Sequence, residues 1–146
     1  MKLEWLILAE GVAQDADGAL TAVGLNQNIL ISSILPTVTK RAIIAHLSGL
    51  QPGEELSFRF RVESPSGEVI AANAGRANLD GIPPWADQGV EATFDIPAEL
   101  QLEVRELGKH RFVVSMDSST GQHAEADVPL YVIKQPQQGR PDKGGS

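Results

Sequence analysis

Residues 56–63 read Leu-Ser-Phe-Arg-Phe-Arg-Val-Glu, four apolar side chains alternating with four polar ones. Successive side chains of a strand point to opposite faces. The run therefore puts Leu56, Phe58, Phe60 and Val62 in a core and Ser57, Arg59, Arg61 and Glu63 in water. A helix would scatter both sets around its surface. A strand buried on one face only is the kind that antiparallel sheets use.

Turn chemistry divides the rest of the chain. Ser64-Pro65-Ser66-Gly67 separates the alternating strand from residues 68–73, with Pro presetting φ and Gly accepting φ > 0. Asp15-Ala16-Asp17-Gly18 joins the first strand to residues 20–23, and Ser118-Ser119-Thr120-Gly121 joins residues 109–117 to the last strand. Residues 28–34, 40–47, 90–96 and 128–133 also have strand character, and Pro129 predicts an edge position or a bulge because it cannot donate to a ladder. Residues 97–106 read as a short turn entering a strand. Trp5 alternates with Leu3 and Ile7 and is assigned to the core. The expected fold is all-β: an antiparallel two-layer β-sandwich, immunoglobulin-like or C2-like, of eight or nine strands. It fills residues 1–134 as one domain. Residues 135–146 hold no apolar side chain except Pro, and are expected to be a disordered tail.

Composition narrows the function. The formal net charge is −7 and the pI about 4.9. An acidic surface repels phosphate backbones, so neither nucleic acid nor membrane is expected as a partner. The chain has no Cys, which removes disulfides, thiolate catalysis and Cys-based metal sites and fits a cytoplasmic protein. Glu4 and Glu10 bound an apolar run too short for a signal peptide.

The two ends together resemble a group of small bacterial β-sandwich proteins of unknown function. The shared features are the strand Leu6-Ile7-Leu8-Ala9 leading to Asp17-Gly18, and a Leu/Val strand ending at Gly24. Near the other end they are Gly108-Lys109-His110-Arg111-Phe112 and the final Pro129-Leu130-Tyr131-Val132. The resemblance implies a β-sandwich domain and transfers no activity.

No spacing in the sequence builds a metal or cofactor site. His46, His110 and His123 show no metal-ligand spacing, so no metal and no cofactor is expected. Asp15-Ala16-Asp17-Gly18 lacks the first and twelfth carboxylates of a calcium loop, since those registers hold Ala13 and Gly24. A Ser/His/Asp triad assembles in space rather than in sequence, but no G-x-S-x-G elbow is present. Glu54 and Glu55 follow Pro52-Gly53 and read as a solvated turn. Arg59 and Arg61, with Lys40 and Arg41, form a candidate basic stripe.

Two features attract a functional reading. Residues 78–89 form a long loop in which Pro83 and Pro84 stiffen the chain beside Trp85, flanked by Asp80 and Asp87. Trp85, Pro84, Asp87 and Asp80 are the candidate binding residues. Ile29, Leu30 and Ile31 are apolar on both faces of their strand and are the candidate interface. The leading expectation is a non-enzymatic binding or assembly module acting through a protein partner or self-association. The alternatives are a small-molecule or carbohydrate binder using the Trp85 loop, and a hydrolase with a triad assembled across loops.

Overall fold

The computed structural model describes residues 1–17, 19–79, 89 and 92–136. They form nine strands: β1 (Lys2–Gln14), β2 (Leu20–Leu25), β3 (Ile29–Ser32), β4 (Thr37–Ser48), β5 (Glu55–Glu63), β6 (Val69–Asn78), β7 (Phe94–Val104), β8 (Gly108–Ser118) and β9 (His123–Lys134). A four-stranded sheet of order β2-β1-β4-β7 faces a five-stranded sheet of order β3-β9-β8-β5-β6. The fold is an all-β sandwich, as the alternation and turn spacing imply.

β5 behaves as its pattern requires. Leu56, Phe60 and Val62 are fully buried, and Phe58 packs against the same core. β5 pairs with β8 so that Phe60 faces Val114 and Val62 faces Phe112. From the other sheet, Leu8, Ile43, Leu47 and Leu102 meet them. The hairpins close as the turn residues demand. Gly67 and Gly121 adopt φ of 88° and 86°, and their N–H groups donate to Ser64 and Ser118 carbonyls at 2.9 and 3.0 Å. In the first hairpin, Asp15 Oδ1 accepts from the Asp17 and Ala19 N–H groups, both at 2.9 Å, so its side chain is used by its own turn.

The structure departs from the sequence reading in six places. Residues 97–104 continue strand β7 without a turn. β3 covers only Ile29–Ser32 and runs parallel to β9, whereas every other described pairing is antiparallel. Trp5 is 44% exposed and not in the core. The cause is a register shift in β1: Leu3 faces Leu47, but Trp5 faces His46, the very next residue of β4. One extra residue reverses the side-chain parity, so Leu3 turns inward and Trp5 outward. Glu54 is buried instead of solvated. Arg41 also turns inward, in the sheet opposite Arg59 and Arg61, so the four cations form no stripe. Leu30 packs toward the core, unlike its neighbours.

Pro129 lies in an inner strand, yet costs no ladder bond. Tyr131 N donates to Asn28 O at 2.7 Å, so the peptide nitrogens of alternate residues 129 and 131 point away from β8. At Pro129 that side precedes β3, whose pairing begins at Tyr131.

Gly75 is required by contact rather than by φ. A Cβ there would stand 2.6 Å from Phe58 Cζ, whose ring lies over the glycine. Gly75→Ala should therefore lose roughly 1–3 kcal/mol of unfolding free energy, read from denaturant midpoints. The loss should shrink when Phe58 is also replaced by Leu; an undiminished loss in the double variant would refute the steric account.

Candidate functional site

The strands β2 and β3 form one flank of the sandwich. Neither strand contains an ionisable side chain. On β2, Val23 and Leu25 are exposed; on β3, Ile29 and Ile31 are each 56% exposed. Ile29 and Ile31 stand beside Tyr131 and Ile133 of β9, themselves 43% and 42% exposed. The segment linking the two strands is held in place. Arg41 donates to Gln27 O at 3.3 Å and to Ile29 O at 3.5 Å, and Asn28 Nδ2 donates to Pro129 O at 2.8 Å. Burial lowers the pKa of the Arg41 guanidinium, and Glu10 partly offsets this. The opposite flank differs in kind. β7 carries Pro97, Glu99 and Glu103, and β6 carries Asn73 and Arg76, the residues that normally keep sheet edges from pairing.

A second site lies at one end of the sandwich, between the β5–β6 and β7–β8 turns. It is an open cavity of about 420 Å³ whose lining includes Ser64, Ser66, Glu68, Glu103, Glu106 and His110. His110 is on the inward-facing side of β8, in line with Phe112, Val114 and Met116, and is fully buried. Its Nδ1 lies 3.2 Å from Gly108 O. A carbonyl can only accept, so Nδ1 carries a hydrogen. Nε2 has no hydrogen-bond partner. Ser66 Oγ donates to Glu106 Oε2 at 2.8 Å and lies 2.9 Å from Ser64 Oγ. These hydroxyls hold the Glu106 carboxyl below its ordinary pKa.

The hydroxyl–carboxylate chain recurs at the other end of the same sheet. Ser118 Oγ lies 2.8 Å from Thr120 Oγ1, which donates to Glu54 Oε1 at 2.8 Å. Gln51 N donates to Glu54 Oε2 at 2.8 Å. In both hairpins the first Ser also accepts from the backbone four residues on, Glu68 N at 3.2 Å and Gln122 N at 3.0 Å. The repetition marks Ser64 and Ser66 as turn architecture rather than as nucleophiles. No Ser hydroxyl meets a His ring among the described residues. Asp95 and Asp117 do: His46 Nδ1 is 2.5 Å from Asp95 Oδ1 and His123 Nδ1 is 2.8 Å from Asp117 Oδ1. Trp5 stacks on His46 with ring centroids 4.8 Å apart. Asp117 raises the pKa of His123.

The sequence candidates are therefore divided. Ile29 and Ile31 are exposed side by side, and Leu30 is not with them. Trp85, Pro84, Asp87 and Asp80 lie outside the described residues. Arg61 and Arg111 bind Glu63 at 2.9 and 3.1 Å, and Arg111 binds Asp127 at 2.8 Å, an ion-paired outer face. Two relevant features escaped sequence reading. One is the β2 half of the flank. The other is His110, whose parity with Phe112, Val114 and Met116 was the available signal.

No protein-family model matches the chain, and no curated protein matches it significantly. Among solved structures it is similar to a β-glucuronidase from glycoside hydrolase family 2, with a TM-score of 0.46 and 9% identity over 68% of this chain. A family 2 glycosyl hydrolase from Bacteroides cellulosilyticus DSM 14838 gives 0.44 and 7% over 65%. A bacterial adhesin from Mobiluncus mulieris, containing intramolecular disulfide, isopeptide and ester bond cross-links, gives 0.45 and 8% over 86%. The matched region is 10% and 13% of the two hydrolases and 57% of the adhesin chain. These likenesses carry no argument about activity.

Glu54 provides a pH test of the buried latch. Burial raises its pKa, but the bonds from Gln51, Thr120 and Ser118 outweigh it, and the net shift is downward from 4.5. A depressed folded-state value means that the stabilisation is full above 4.5 and is lost as pH falls through that lower value. Glu54→Gln should cost roughly 1–3 kcal/mol near neutral pH. Denaturant titrations across the acid range should show the gap between wild type and variant closing as pH falls; a constant gap would contradict the latch.

Proposed function

We propose that the chain is a non-catalytic assembly module that acts through protein–protein contact at the β2/β3 flank, with a second copy of the chain as its occupant. The observation that supports this reading most is the row of exposed Ile29, Ile31, Tyr131 and Ile133, with Val23 and Leu25 also exposed on the edge strand of the other sheet. Large apolar side chains grouped at an unguarded sheet edge favour burial against another surface. Charge on these strands does not oppose a second copy as that surface. A chain of net charge −7 repels its own kind at long range. The β2 and β3 strands themselves carry no charge, so these two strands add nothing to that repulsion. An apolar flank is also self-complementary, as a two-fold contact requires.

Light scattering after size separation tests this directly. Wild type should be a dimer at high concentration, and the Leu25→Lys/Ile31→Lys variant a monomer with an unchanged circular dichroism spectrum. Affinity should fall by roughly a hundredfold, since like-charge juxtaposition costs on the order of several kcal/mol. Val69→Lys, on the opposite flank, should leave the dimer intact. A wild-type chain that stays strictly monomeric at high concentration, or that pairs only with a different protein through this flank, would overturn self-association.

A further inference from the structure

We infer that the outer face of β5 and β6 binds a compact dianion, a phosphoryl group, between Arg59 and Arg76. The register brings the two side chains together. Arg76 stands directly opposite Ser57, and Arg59 directly opposite Ala74. The arginines are therefore diagonal neighbours on one face, a separation that long side chains span. Ala74 projects only a methyl group beside them. The gap is an open cleft of about 320 Å³ whose lining includes Ser57, Arg59, Ala74, Arg76, Ser115 and Asp117. Ser115 faces Arg59 from β8. Both guanidinium groups belong to exposed residues and are open to a ligand.

These two arginines differ from the others in having no partner. Arg41 is bonded to backbone carbonyls and Thr39. Arg61 and Arg111 share Glu63, Arg111 also holds Asp127, and Arg105 holds Glu103. Arg59 and Arg76 make no hydrogen bond or ion pair among the described residues, although the chain has 19 acids against 12 bases. The acids nearest in register are engaged or out of contact. Asp117, the one carboxylate of the cleft lining, lies 2.8 Å from His123 Nδ1. Glu125, opposite Ser115, lies 3.7 Å from His123 Nε2. Glu55, opposite Asn78 one pair further along, forms no ion pair with either arginine. Two neighbouring cations repel each other, and an anion between them relieves that repulsion. Donor count and charge select its class. Guanidinium forks match phosphate oxygens bidentately, and Ser57 and Ser115 add hydroxyl donors. A phosphoryl monoester carries about −1.5 to −2 at neutral pH, which balances two arginines, whereas a single carboxylate balances one. A nucleic acid would bring further phosphates against a surface whose total charge is −7, so a single phosphoryl group fits better than a polyanion.

Titration of the intact protein with inorganic phosphate at low ionic strength, followed by the ¹⁵Nε resonances of the arginine side chains, tests the assignment. Saturable movement of the Arg59 and Arg76 resonances is expected, with a dissociation constant on the order of millimolar because the cleft is open to solvent. Dimethyl phosphate has the same tetrahedral centre but a single charge, and should bind roughly fivefold more weakly, the scale of a lost exposed ion pair. Arg59→Gln and Arg76→Gln should each weaken phosphate by a similar factor with an unchanged circular dichroism spectrum. Arg105→Gln removes the same charge at the other end of the sandwich and should leave the affinity essentially unchanged. Nα-acetyl-phosphoserine methylamide separates the two sources of such a group. If it moves the same resonances, the site also takes a phosphorylated side chain of another protein; if only inorganic phosphate does so, the site is for a small molecule. Equal affinity for dimethyl phosphate, unmoved Arg59 and Arg76 resonances, or an equal loss in Arg105→Gln would overturn the inference. None of these outcomes depends on the oligomeric state, so the site stands or falls apart from the β2/β3 contact.

Discussion

The register of β5 against β8 is the constraint on which the rest depends. Phe60 opposite Val114 and Val62 opposite Phe112 bury four large side chains in one layer. Because side chains alternate, this choice also decides what faces outward: Arg61, Glu63 and Arg111, which pair with one another and with Asp127. A slip of one residue would exchange the two sets and bury the charges. The same parity carries one step past Phe112 and delivers His110 to the interior, where the apolar layer gives way to the β5–β6 and β7–β8 turns. The buried imidazole is thus a consequence of the register that builds the core.

The two hairpins at the ends of the five-stranded sheet use one solution to one problem. A type of turn closed by Gly67 or Gly121 leaves polar groups near the end of the core, and a Ser with a second hydroxyl two residues on satisfies them. A glutamate from elsewhere in the chain completes each set. Glu54 is drawn to 2% exposure by this network, although burial alone would expel a carboxylate. Donors from Gln51 and Thr120 offset that cost. At the other end the Ser66 and Ser64 hydroxyls hold Glu106 in the same way.

The flanks of the sandwich are also unlike each other. Glu99, Glu103 and Pro97 protect β7, and Arg76 lies on β6. β2 and β3 have no such protection, and the chain passes from one to the other through a linker pinned by Arg41 and Asn28. Arg41 faces inward because its guanidinium finds the Gln27, Ile29 and Lys40 carbonyls and Thr39 Oγ1 there. A charged side chain that would ordinarily guard the surface is used instead to hold an apolar edge in position.

Much of this architecture is written in local pattern. Alternation in residues 56–63 and the turns at Gly67 and Gly121 depend on the chain's own steric and hydrophobic preferences, so the strands, hairpins and inward face of β5 were legible without coordinates. Exposure of Ile29 and Ile31 follows from excess apolar character on both faces of a strand. Pairing partners are a different matter. The bulge between Leu3 and Trp5 is defined only against β4, and it alone moves Trp5 out of the core. The parallel partner of β3 is set by where the Arg41-bound linker places it. The burial of Glu54 and the unpaired nitrogen of His110 depend on donors supplied, or not supplied, by residues far away in sequence. Sequence by itself therefore determined a two-layer β-sandwich and the inward face of its central strand. Only the tertiary structure decided which polar groups are satisfied and which edge is left apolar, because both are properties of pairs of segments rather than of any one.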